Sequence, residues 1–330
     1  MQAWHIVLLK SAGMLLVMMV GWLAGRSGPL GPAVTQGLGR LVVDCTFPAL
    51  VFSQMLRTVT PAVVRSAFWI PLSAPPAISV AALVALALAR AAGARDQRRT
   101  FVFLGALSNW IFLPLVIAEA LYGAAGVRFV LLYNVGAQLT LWTLGVGILR
   151  GGGWTREQLR GLLLNPGLLA TVAGILAALG RPAMVAGAGS GAAALRTVGQ
   201  PLLMAVDLFG GLTVPLALLV TGAQLAAVPA RAEASLRPVV GLVLVRLVVA
   251  PVVTMLLLRV GLMVTGARLP EAELVTFIVI VAMPVAVSTS AFIERYGGDR
   301  RLAALGIFWT TLLGLLTVPA LVRLVQSGGW

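Results

Sequence analysis

The sequence predicts an all-α integral membrane protein: ten transmembrane helices in two inverted five-helix repeats, with helices four and nine broken where they cross. Three observations predict it: an apolar composition too rich for a soluble core, hydrophobic runs of spanning length, and landmarks that recur in the second half. Of the 330 residues, 60% are hydrophobic and 10% charged, and the mean hydropathy is +1.02. Soluble domains average about 45–50% apolar and about 25% charged residues. A bilayer removes the difficulty because it accepts apolar surface on the outside, at about 20 residues per spanning helix.

The hydrophobic runs lie at 4–25, 37–56, 66–91, 100–122, 127–149, 161–180, 202–226, 237–259, 271–295 and 301–325. Trp4 and Trp22 bracket the first. They would sit about 27 Å apart at about 1.5 Å per residue, which suits indoles at both interfaces. No basic residue precedes Lys10 and nine runs follow, so the first is read as a retained span and not a cleaved signal. The connections are short, and their basic residues therefore report orientation. With the amino terminus outside, 14 of the 24 basic residues fall in cytoplasmic loops and 9 on the opposite side. The expected location is a bacterial inner membrane with both termini outside the cytoplasm.

The net charge of +14 is spread singly between apolar runs, which argues for topology and against nucleic acid. One cysteine, Cys45, and one histidine, His5, provide neither a disulfide framework nor a metal cluster. No catalytic set, metal or cofactor is expected. The "RGGGW" stretch from Arg150 is followed by no Walker pattern, and reads with residues 151–160 as a linker between halves 1–150 and 161–330. The Ala- and Gly-rich stretch 183–194 reads as a flexible outer connection. Gly210, Gly211 and Gly222 are expected to permit close helix packing.

The halves resemble each other. Pro48 in "CTFPALVF" superimposes on Pro215 in "LTVPLALL" at an offset of 167, and Tyr122-Gly123 on Tyr296-Gly297 at 174. Five spans are an odd number, so a second copy enters the membrane from the opposite face. Such repeats are common in secondary transporters, which hold substrate near the midplane at broken helices. The expected breaks are at Asn109 and Pro114 in the fourth run, and at Pro284, followed by Ser288, Thr289 and Ser290, in the ninth. Proline removes an amide donor and clashes with the preceding turn. Two broken helices crossing there would present free N–H groups and partial positive charge to an anion, particularly a carboxylate. The plainer alternative is that both prolines only kink packed helices.

Ionisable residues inside spans are costly, at least ~2.5 kcal/mol at a helix centre. Arg246 lies deep in the eighth run; it either pairs with a substrate carboxylate or bonds carbonyls freed by the broken helices. Lys10 is read as snorkelling to an interface. Asp44 and Glu119 are candidates for a coupling proton or sodium ion, although Glu119 also suits interfacial water. Asp207 and the Glu294-Arg295 pair read as interfacial.

At these residues the sequence resembles the auxin efflux carrier family, which includes plant PIN-FORMED exporters and bacterial dicarboxylate carriers. "NPGLLATVAGIL" from Asn165 is similar to the family's sixth span, "RLVVAP" with Arg246 and Pro251 to its eighth, and Pro284 through "FIERY" to its ninth. "QLTLW", with Gln138 and Trp142, resembles a fifth-span pattern of the plant members. Asn109 precedes Pro114 by five residues where many members have seven. The third run carries no carboxylate or lysine of the kind plant exporters have there. The resemblance implies a scaffold of spans 1, 2, 6 and 7, through which a homodimer would form, and an elevator-like transport domain of spans 3–5 and 8–10. It also implies that Asn109, Pro114, Gln138 and Pro284 lie near substrate. The expected function is secondary transport of a small mono- or dicarboxylate such as malonate or malate. The alternatives are a sodium-coupled symporter of bile-acid type, and a channel or non-transporting sensor on the same fold.

Overall fold

The computed structural model describes residues 3–152, 155–186, 199–227 and 236–327. Most of the expected outer connection at 183–194, together with Arg196 and Arg231, lies outside the described residues.

The first helix, α1 (Ala3–Ser27), has neither proline nor acidic residue to interrupt it. Leu9, Leu16 and Leu23 are more than half exposed along one stripe, while Val7, Met14 and Met18 are buried on another. A stripe of exposed leucine on a helix this long and apolar is lipid-facing surface. The inward stripe continues to Gly21, where a Cβ would fall 2.2 Å from the Leu219 carbonyl oxygen. A Cβ on Gly222 would fall 1.9 Å from that of Met18. The two backbones therefore touch, the packing that small residues permit in membranes.

Next, α2 runs as Pro32–Leu41, a π turn over Val42–Thr46, and Phe47–Thr58. The π turn directly precedes Pro48, whose ring would clash with the carbonyl four residues back in a regular helix. Helix α10 (Leu236–Thr265) repeats the device, with a π turn over Val245–Val249 just before Pro251. Between them come α3 (Pro61–Leu88), α4 (Arg98–Ala106) and the run Phe112–Arg150. Gly123 divides this run, at φ 54° and ψ −137°, into α5 (112–122) and α6 (124–150). A side chain would be strained at such a φ, which glycine adopts freely.

The linker is not irregular throughout. It carries α7 (Arg156–Leu163), opened by a capping box in which Thr155 and Gln158 satisfy each other's backbone amides. Helices α8 (Pro166–Ala186) and α9 (Gly199–Ala226, interrupted at Leu212) follow. Beyond α10 lie α11 (Glu271–Ala282), α12 (Thr289–Tyr296) and α13 (Arg300–Ser327). Among the described residues, six helical runs are long and apolar enough to cross a membrane by length and composition.

The heaviest helix contacts fall in two groups, although α1 also packs on α13 and on the run Phe112–Arg150. One joins α1 to α9 and α2 to α8 and α9, with Gly174 and Gly210 against the backbone of α2. Gly211 meets open space and packs nothing, so the expected role there falls to Gly210 alone. The other joins α3 to α4, α6 and α10, and α11 to α13. Gly136 lies against the Pro71 carbonyl, and Tyr133 meets Phe277 edge-on at 6.2 Å.

Candidate functional site at the crossing of two interrupted helices

The fourth and ninth runs are both broken, and the breaks meet. Helix α4 stops at Ala106 and α5 starts at Phe112; α11 stops at Ala282 and α12 starts at Thr289. Across the gap Ser108 faces Val285 in an antiparallel bridge. The Asn109 amide donates to the Pro284 carbonyl at 2.8 Å, and the Ala286 amide to that of Leu107 at 3.2 Å. The Val285 amide donates to Thr310 Oγ1 of α13 at 3.2 Å, and that hydroxyl donates onward to the Gly306 carbonyl at 2.7 Å. Irregular backbone at membrane depth survives only when protein or water satisfies it. Here the two breaks largely satisfy one another.

Arg246 completes the arrangement from the π turn of α10 and is only 2% exposed. Its Nη1 donates to the Gly105 and Ala106 carbonyls at 3.0 and 3.4 Å, and Nη2 donates to the carbonyl of Val281. All three are terminal carbonyls of α4 and α11. Of the two roles open to Arg246 from sequence, the structure displays the second: Nη1 and Nη2 are given to carbonyls freed by the breaks, while the buried Nε has no partner among the described residues.

The other sequence-predicted residues fall unevenly around the crossing. Asn109 lies in the first break, 9% exposed, and its side chain makes no hydrogen bond among the described residues. Pro284 lies in the second break and supplies the bridging carbonyl. Pro114 does not mark a break: it is buried in the first turn of α5, past the crossing. A helix can start just ahead of a proline because that position needs no amide donor. Ser288 is exposed beside the second break. Thr289 and Ser290 donate their hydroxyls to the Ala286 and Val287 carbonyls at 2.6 and 2.8 Å. The amides of Thr289, Ser290 and Ala291 donate to the carbonyls three residues back. The amides expected to be free at this helix start are thus engaged in a tight first turn. Gln138 is half-buried on α6, and its side chain makes no hydrogen bond among the described residues. Asp44 in the π turn of α2 and Glu119 on α5 are both exposed, and no hydrogen bond or ion pair joins either to the crossing. Asp207 pairs with Arg57, and Glu294 with Arg300 at 3.6 Å.

Two residues were missed from sequence. Thr310 holds the second break, and Asn134, fully buried, accepts from Trp110 Nε1 at 3.0 Å while its Nδ2 has no partner among the described residues. The signal was available: each is a polar residue inside an apolar run, where polar groups need a reason. A cavity of about 160 Å³ opens beside α12, lined by Gln224 and Leu225 of α9, Ser290 and Glu294 of α12, and Arg300 and Ile307 of α13.

An all-helical chain with lipid-facing apolar surface and an interrupted-helix core is an integral membrane protein of the transporter class. The chain belongs to the membrane transport protein family, that of the auxin efflux carriers, whose model matches residues 6–158 and 154–322. No curated protein matches it.

Proposed function

We propose that this transporter is a secondary carrier of small organic anions, carboxylates in particular, held where the breaks of α4/α5 and α11/α12 cross. The observation that carries this reading is the antiparallel meeting of the breaks at Ser108 and Val285. Helix α5 begins beside that meeting, and a helix start carries partial positive charge; the first amides of α12 are engaged in its tight first turn, so that end offers the Ser288 hydroxyl instead. Asn109 and Ser288 add side-chain donors not committed elsewhere among the described residues. The cavity of about 160 Å³ beside α12 lies next to the second break, with Val287 and Ser290 on its wall but neither Asn109 nor Ser288. The choice of a short mono- or dicarboxylate such as malonate or malate therefore rests on the family resemblance and not on that cavity.

Ten spans in two inverted halves are part of the same proposal. The recurrent Tyr-Gly landmarks support it, because Gly123 and Gly297 both take positive φ, at 54° and 86°, and each ends the helix that follows a break. The grouping of the heaviest contacts supports an elevator division, with α1, α2, α8 and α9 as scaffold and α3–α6 with α10–α13 as the moving body; the apolar contacts of α1 with α5, α11 and α13 then form part of the sliding boundary. The bias of loop arginines favours termini outside the cytoplasm of a bacterial inner membrane. The test is a thermal-shift screen of the purified protein against small carboxylates, followed by counterflow of each hit in liposomes. Stabilisation by a carboxylate, with exchange of that compound across the membrane, is expected. Flux at channel rates, or binding without exchange, would replace this reading with a channel or a sensor.

A further inference from the structure

We infer that the Arg246 guanidinium is a built-in counter-ion: it fills, at the crossing, the place that a mobile coupling cation would take. This rests on the carrier reading for its meaning but not for its test. In transporters with discontinuous helices, unwound carbonyls and half-helix carboxyl ends are the groups that coordinate sodium. Here the carbonyls of Gly105, Ala106 and Val281 converge from the carboxyl ends of α4 and α11. An oxygen-only cage between two negative helix ends is cation chemistry. Each end carries roughly half an elementary negative charge, so one guanidinium offsets the pair.

No carboxylate is among the groups that Arg246 bonds. A buried cation without a carboxylate partner is costly, and this one is held by main-chain oxygen. The fork also joins both broken helices, since Nη1 bonds the α4 end and Nη2 the α11 end. A tethered cation cannot dissociate on either side of the membrane. The crossing therefore keeps its charge through a transport cycle, and sodium has no vacancy among these three carbonyls. This deepens the proposed function by assigning its coupling: substrate moves without a sodium ion bound at the crossing.

The test uses the purified full-length protein without substrate and reads its melting temperature in sodium, potassium, choline or millimolar guanidinium chloride at equal ionic strength. The wild type is expected to melt at the same temperature in all four. Arg246→Ala leaves the carbonyls unfilled and should melt lower by roughly 5 °C or more. Part of that loss should return in sodium or guanidinium but not in choline. Arg246→Lys should retain more stability than the neutral Arg246→Met. The inference is overturned if Arg246→Met melts with the wild type, if Arg246→Ala ignores the identity of the cation, or if sodium saturably stabilises the wild type. Should the alanine and methionine variants fail to accumulate, the lysine variant decides: a folded protein supports the fixed charge, and equal loss overturns it. Because no substrate enters the assay, failure of anion counterflow would sink the carrier reading and leave this result standing.

Discussion

At the scale of single residues, the crossing separates groups that hold backbone from groups left to hold a guest. Asn109 and Ser288 belong to the second kind. A hydrogen bond to a charged partner contributes about 1.5–3 kcal/mol, so Asn109→Ala should weaken carboxylate binding about 10-fold or more without loss of expression; titration calorimetry reads the difference. Ser288→Ala should act in the same direction. Thr289→Ala should not, because its hydroxyl is already given to Ala286. Thr310→Val belongs to the first kind: it strands the Val285 amide at a cost of about 1–3 kcal/mol. It should lower the melting temperature, and Thr310→Ser should restore it. Asn109 and Pro284 were legible in the sequence because a polar residue and a proline inside apolar runs need a structural reason. The partners of Arg246 were not, because carbonyls carry no residue identity: every residue has one, and only the fold chooses which converge.

At the scale of elements, the two broken helices are alike in outline and different in detail. The ninth apolar run breaks at its proline, whereas the fourth breaks before its own, since Pro114 sits in the first turn of α5. The difference is testable. Pro284→Ala gives the second break an amide and permits α11 and α12 to close toward one continuous helix, so counterflow should fall severalfold. Pro114→Ala changes a position that needs no donor, and should transport close to normally. Equal loss in both variants would show that the prolines act by some means other than marking a break. The repeated π turns before Pro48 and Pro251 teach the same lesson. Sequence places the proline, and the helix answers either by widening a turn or by stopping, according to what can take up the freed carbonyls.

At the scale of the whole molecule, the proposal requires two bodies that slide, and the cavity beside α12 lies between them. Gln224 of α9 and Ser290 of α12 both line it. In a Cys45→Ser background, which removes the sole native cysteine, a Gln224→Cys, Ser290→Cys pair should accept a short bifunctional thiol reagent. Counterflow should then stop and return on cleavage of the link. Undiminished counterflow after full cross-linking would rule out relative motion at this boundary. A second prediction concerns the wall itself. Gly222→Val would drive a side chain into the Met18 carbonyl, and should separate α1 from α9 and abolish accumulation of folded protein.

By itself the sequence determined that this chain lives in a bilayer, that it is helical, where its apolar runs lie, and that two of them carry breaking residues. Those properties are sums over local composition, and composition is visible in one dimension. Only the tertiary structure decided that the breaks bridge at Ser108 and Val285, that Pro114 stands clear of the bridge, and that Arg246 faces carbonyls and not open space. Each is a matter of which backbone groups, far apart along the chain, satisfy one another. In a medium without water, that pairing is forced by the cost of an unsatisfied peptide group, but its partners are chosen by packing.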